Sequence, residues 1–149
     1  LQVNTPLYCC TDGSWSNSTS FAGIGWALYN AMGQCLLQGS SSIEPTNSVL
    51  ETEAIALKEA LLQIKRLNYR GVTFCGDSLT LYSYLEKAVQ QYHPSPGCLE
   101  IQSYLEDIMF LNHGQYHFKY ICRADNTLAD KLAKEARAKN SPYVVSWVT

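Results

Sequence analysis

Residues 48–77 read SVLETEAIALKEALLQIKRLNYRGVTFCGD. Leu50, Ala54, Leu57, Leu61 and Ile64 recur at steps of four and three, the period of a helix with one apolar stripe. Ser48 and Glu51 stand at capping-box spacing, so the helix is expected over 48–67. Gly71 ends the turn that follows, and 72–76 (VTFCG) read as a strand. Residues 78–90 read as a second helix. Helix, strand and helix in this order call for a sheet covered by helices.

Working outward, residues 6–12, 22–30 and 33–41 read as three strands, the last two joined by Ala31-Met32-Gly33 as a hairpin. His93-Pro94-Ser95-Pro96-Gly97 breaks the chain. Residues 98–111 give an amphipathic helix, 116–122 a fifth strand, and 127–139 a final helix rich in Ala and Lys. The order βββαβααβα predicts an α/β fold with a five-stranded mixed sheet and helices packed on it. Residues 141–149 are apolar and β-prone but have no assigned place. One domain is expected over 1–149, with a core of about 6–139 and a C-terminal extension at 140–149.

The chain has 149 residues, 46% hydrophobic and 16% charged, an ordinary globular composition. No apolar run approaches the roughly 20 residues of a membrane span, and no leader pattern opens the chain. It therefore reads as an excised domain or a mature chain. The six cysteines (Cys9, Cys10, Cys35, Cys75, Cys98 and Cys122) fall mostly in strand-like stretches, with no C-x-x-C pair. Reduced thiols in an intracellular protein, nuclear or cytoplasmic, are the expectation, rather than disulfides or zinc. Net charge is −2, which argues against strong autonomous binding of nucleic acid.

Four acids stand out, each with an ordinary structural role available. Asp12 precedes Gly13 and could belong to a turn. Glu51 is satisfied by the capping box, but Glu53 flanks the apolar stripe, where a carboxylate is costly unless paired or metal-bound. Asp77 closes the fourth strand; it or Ser78 could cap the next helix, yet the carboxyl ends of such strands are where ligands sit. Asp130 lies in the first turn of the last helix, at capping-box spacing from Thr127, with Asn126 as the alternative cap. If strands one and four are neighbours, all four acids meet at one end of the sheet. Such a cluster needs cations, and Mg²⁺ suits an all-oxygen ligand set.

The set Thr11-Asp12-Gly13-Ser14, Glu53-Ala54-Ile55-Ala56-Leu57 with Ala60-Leu61, Gly76-Asp77-Ser78, and Arg123-Ala124-Asp125-Asn126-Thr127-Leu128-Ala129-Asp130-Lys131-Leu132-Ala133 resembles the type 1 ribonuclease H family. It looks most similar to the archaea-like branch, found in plant proteins and in plant non-LTR (LINE) retrotransposon polyproteins. The resemblance spans about residues 6–139. It implies an endoribonuclease that cuts the RNA strand of RNA–DNA hybrids, leaving 5′-phosphate and 3′-hydroxyl ends, with two Mg²⁺ ions or Mn²⁺ in their place. It makes Asp12, Glu53, Asp77 and Asp130 the catalytic, metal-binding acids, with Asp12 shared by both ions. Gly13, Ser14 and Ser78 match positions that contact RNA sugars. Asn47 is a candidate for the DNA-strand phosphate, and Arg123 and Asn126 are further substrate-binding candidates.

The sequence also departs from the family. Trp15-Ser16-Asn17-Ser18-Thr19-Ser20 replaces a glycine-rich segment, and Arg123 stands near the place of a loop histidine. Lys87 is the only Lys or Arg between Gly71 and Gln115, so the basic handle of some members is missing. Lys131, Lys134, Arg137 and Lys139 crowd the last helix, as a solvated face or as phosphate contacts. The expected setting is a monomer, with no membrane, and a covalently linked reverse transcriptase or other nucleic-acid-binding domain to supply affinity. The competing readings are a non-catalytic ribonuclease-H-like interaction module and another nuclease on the same fold.

Overall fold

A computed structural model describes residues 3, 5–91, 99–113 and 115–148. Cys98, and the chain break expected at 93–97, lie outside the described residues. The strands are β1 (Leu7–Ser14), β2 (Ala22–Asn30), β3 (Cys35–Ile43), β4 (Val72–Gly76), β5 (His117–Tyr120) and β6 (Val144–Trp147). The helices are α1 (Val49–Arg66), α2 (Leu79–Gln91), α3 (Gln102–Asn112) and α4 (Thr127–Lys139). The expected order is met, with one strand added. The sheet runs β5-β4-β1-β2-β3-β6. β1 pairs parallel with β4, and β4 with β5; the other pairs are antiparallel.

The sixth strand corrects the five-stranded expectation. β6 pairs antiparallel with the outer side of β3, from Leu37 opposite Trp147 to Ser40 opposite Val144. Most of its residues are exposed, so they lack the alternation that marks a half-buried strand. Its approach is fixed by Tyr143, whose hydroxyl accepts the indole N–H of the fully buried Trp26 at 3.0 Å.

The two faces of the sheet are filled differently. On one, Cys9, Trp26, Leu28 and Leu37 meet Leu57, Leu61 and Ile64 of α1, with α2 and α3 completing the layer. Fully burying each such Leu or Ile contributes about 1.5–3 kcal/mol. Among the described residues, α4 is the helix on the other face, its Ala129 packed over Cys10, Cys75 and Ile121. α4 buries only Ala129, Ala133 and Ala136, and β2 offers it Gly23 and Gly25. Small residues on both sides let the backbones nearly touch: a Cβ on Gly25 would lie 2.6 Å from the Ala129 carbonyl oxygen.

Gly25→Ala is therefore expected to push α4 off β2 and to cost about 1–3 kcal/mol through overpacking. Urea unfolding of the variant measures it, and an unchanged midpoint would show that α4 has room to move.

Candidate metal and nucleic-acid site

Each acid is delivered by a different element. β1 runs on to Ser14 instead of ending at Asp12, which is therefore not a turn residue. It stays paired with β2, Asp12 opposite Gly25 and Ser14 opposite Gly23. On its other side, pairing with β4 stops at Cys10 and Cys75. Asp12 thus keeps one strand neighbour and faces an opening where the other has ended. It shares the α4 face with Cys10.

Glu53 comes from the opposite layer. Ser48 caps α1 by accepting the Glu51 N–H at 3.0 Å, and the Glu51 carboxylate accepts the Asn47 N–H at 2.9 Å. Glu53 is left over for the sheet, buried, and accepts the backbone N–H of Gly13 at 3.0 Å. That approach needs glycine: a Cβ on Gly13 would lie 2.8 Å from the Thr52 methyl and 3.1 Å from the Glu53 nitrogen.

Asp77 follows directly on β4. Ser78 takes the capping role, accepting the Leu81 N–H at 3.3 Å. α4 begins at Thr127 with Asn126 as its cap residue, so the Thr127–Asp130 box does not form and Asp130 is free of that task. Asp130 instead pairs with Lys134 one turn on, at 3.0 Å.

Asp12, Glu53 and Asp77 each offer an oxygen within 4.8 Å of the others. They open into a cleft of about 280 Å³ that also takes in Asp130. Gly13, Ser14, Ser78 and Arg123 line it too. Asn47 and Asn126 do not. Asn47 is exposed on the loop before α1, whereas Asn126 is buried and donates its side-chain amide to the Thr11 carbonyl at 3.0 Å. It thereby ties the start of α4 to β1, one residue from Asp12. Three further residues line it: Trp15, next to the Asp12 motif in sequence, Lys134, one of the basic residues of the last helix, and Val49, which carried no sequence signal. Lys134 stands four residues after Asp130, a spacing that favours an ion pair. Val49 looks like any first helical residue.

Burial and close neighbours shift three of the acids, in two directions. Burial pushes the Asp12 carboxyl from 3.8 up to about 7; a hydrogen bond with Glu53 offsets part of the rise, and Asp77 and Asp130 add to it. Burial likewise pushes Glu53 well up, helped by the charge and hydrogen bond of Asp12 and opposed by the Gly13 N–H. Asp130 goes the other way. Burial raises it, but Lys134, the hydrogen bond with Asp12 and the Arg123 charge together hold it below its usual range. Asp12 and Glu53, buried side by side and reluctant to ionise together, with the Asp77 carboxylate next to them, offer the close, all-oxygen donors that a hard divalent cation fits.

A family profile described as reverse transcriptase-like matches residues 10–136. The chain belongs to the reverse transcriptase-like family. The reverse transcriptase-like match contains all four acids. A curated relative, the uncharacterized protein YpeP of Bacillus subtilis (strain 168), is 30% identical over 131 residues, or 83% of this chain and 55% of its own. The chain thus spans about half the length of that relative. Among solved structures, RNase H1 of the halophilic archaeon Halobacterium salinarum superposes with a TM-score of 0.75 at 22% identity, covering 89% of this chain and 98% of the other. LC11-RNase H1 in complex with an RNA/DNA hybrid gives 0.73 at 22% identity, covering 89% and 97%. These likenesses establish the ribonuclease H fold.

The raised carboxyls make a signed prediction. Asp12 binds its proton more tightly folded than unfolded, so the folded protein holds more protons between about pH 4 and about pH 7. Stability must fall as pH rises through that window. The metal-free protein is expected to melt at a lower temperature at about pH 8 than at about pH 5, Asp12→Asn to flatten that slope, and Mg²⁺ to restore the parent's melting temperature at the higher pH. Thermal melts with and without chelator test this; a parent insensitive to both pH and Mg²⁺ would contradict it.

Proposed function

We propose that the domain is a metal-dependent endoribonuclease that hydrolyses the RNA strand of RNA–DNA hybrids, serving reverse transcription of a retrotransposon inside the cell. The observation that carries this reading is the meeting of Asp12, Glu53 and Asp77 within 4.8 Å, beside the hydroxyls of Ser14 and Ser78 in one cleft. Asp12, Glu53, Asp77 and Asp130 would hold two Mg²⁺ ions, or Mn²⁺ in their place. When bound, such ions supply Lewis acidity at a phosphodiester.

The rest falls to the chain. Glu53 is held by the Gly13 N–H, so it meets a cation with its position already set. Ser78 accepts from Leu81 and keeps its own O–H for a partner. Ser14 and Ser78 suit an RNA 2′-hydroxyl, which both donates and accepts and which DNA lacks. Gly13 brings backbone rather than side chain to the same wall. Arg123 gives the cleft a cation for a phosphate. Asn47 and Asn126 enter this reading differently. Asn47, exposed on the loop before α1, would meet the DNA strand outside the cleft, and Asn126 would act by fixing α4 to β1. With net charge −2, the domain would bind hybrid weakly alone, and a linked reverse transcriptase would raise the local concentration.

Purified protein with Mg²⁺ is expected to make internal cuts in the RNA of a labelled hybrid and to leave single-stranded DNA untrimmed. Asp77→Asn should lower the rate at least about 100-fold. No cleavage by the parent, or equal cleavage by the variant, would reject the reading in favour of an interaction module. End-trimming of DNA would instead indicate another nuclease on this fold.

Lys134 gives a finer test. Its exposed ion pair with Asp130 competes with a cation for the same carboxylate. Lys134→Ala should lower the Mg²⁺ concentration for half-maximal activity, by no more than about fivefold, since exposed pairs are weak. A rise in the Mg²⁺ requirement would contradict the competition.

A further inference from the structure

We propose that Trp15 and Val49 form an apolar shelf beside the acids, on which the ribose–base face of one substrate nucleotide rests. This deepens the nucleic-acid reading of the cleft and rests on it. The other side chains of the cleft are carboxylates, hydroxyls and cations. Trp15 and Val49 are its apolar members. Val49 is 51% exposed, so it adds little to the core that α1 builds below it.

The indole has one polar atom, and that atom is already used. Trp15 Nε1–H donates to the Thr46 carbonyl at 3.1 Å. No donor is left for a phosphate oxygen or a 2′-hydroxyl. What the rest of the indole can offer the cleft is the carbon of an aromatic ring. The ligand group that gains from such a surface is another ring or the carbon face of a sugar. A nucleotide carries both, and a metal ion or a bare phosphate carries neither.

The shelf is also held in register with the acids. The Thr46 and Thr52 hydroxyls hydrogen-bond at 2.6 Å. Thr52 lies against Gly13, and Gly13 donates to Glu53. The anchor of the indole therefore runs back to a carboxylate of the cluster. On its far side, the β1–β2 loop is closed by Asn17, whose Oδ1 accepts from Thr19 N, Thr19 Oγ1 and Ser20 N at 3.0, 2.9 and 2.9 Å. Trp15 is thus fixed before any ligand arrives, which reduces the ordering cost of binding. This gives the segment that replaces the family's glycine-rich stretch a task.

The test uses the whole chain. Asp77→Asn with Trp147→Phe leaves Trp15 and the fully buried Trp26 as emitters. Titration with an uncleaved RNA–DNA hybrid should quench the accessible indole. Trp15→Ala should weaken hybrid binding between about fivefold and about 100-fold, the range of one base–aromatic contact. Trp15→Phe keeps a ring but loses the N–H, and should stay within about threefold of the parent. In the active protein, Trp15→Ala should raise KM more than it lowers kcat. Absence of quenching, or equal losses of affinity in the Phe and Ala variants, would overturn the shelf and leave Trp15 as a loop anchor. Hybrid cleavage with an unchanged KM in Trp15→Ala overturns the shelf alone. Trp15-dependent binding without cleavage supports the shelf and rejects the ribonuclease.

Discussion

Between Cys10 and Asp12 the central strand loses one neighbour and keeps the other. β4 stops pairing with β1 at Cys75, while β2 follows β1 to Ser14. An unpaired stretch of backbone inside a sheet is costly unless its polar groups find other partners. Here they come from the helices on both sides. The Gly13 N–H goes to Glu53 of α1, and the Thr11 carbonyl receives the amide of Asn126 at the start of α4. The repair of the sheet edge and the assembly of the site are one set of contacts. Moving either helix would unpair backbone and scatter the acids together.

The same contacts gather the acids at a cost in stability. Burial, with the neighbouring carboxylates adding to it, raises Asp12 and Glu53, so the metal-free site keeps protons that isolated carboxyls would have shed. Ser48 and Ser78 do the capping that Glu53 and Asp77 do not. Ordinary helix chemistry is delegated to neighbouring hydroxyls, and the acids are kept unspent.

Much of this was legible in the sequence. The stripe from Ala54 to Ile64 located α1 and so marked Glu53 as facing the sheet. The endings of β4 and the start of α4 placed Asp77 and Asp130 at the same edge. Other features were not legible, for physical reasons. Capping boxes are local patterns, and Thr127–Asp130 fits one although the helix starts with Asn126 as its cap. β6 pairs on one edge while exposing most of its side chains, so it carries no alternation to read. Asn126 and Trp15 act through bonds to distant backbone, Thr11 and Thr46, which no spacing rule encodes. Glycines 23 and 25 of β2 read as ordinary strand residues until α4 is seen lying on them.

The Trp26–Tyr143 bond bears on where the folding unit stops. The family match ends at residue 136, and α4 ends at Lys139. A boundary drawn at either point would discard Tyr143. The largest fully buried side chain of the core would then keep its ring in place but have no acceptor for its N–H. It would also strip β3 of its outer partner and turn Leu37 to Ser40 into a bare sheet edge, open to pairing with another chain. Residues 144–147, least conspicuous as a motif, thus cover Leu37 to Ser40 and leave at that side of the sheet an edge only four residues long.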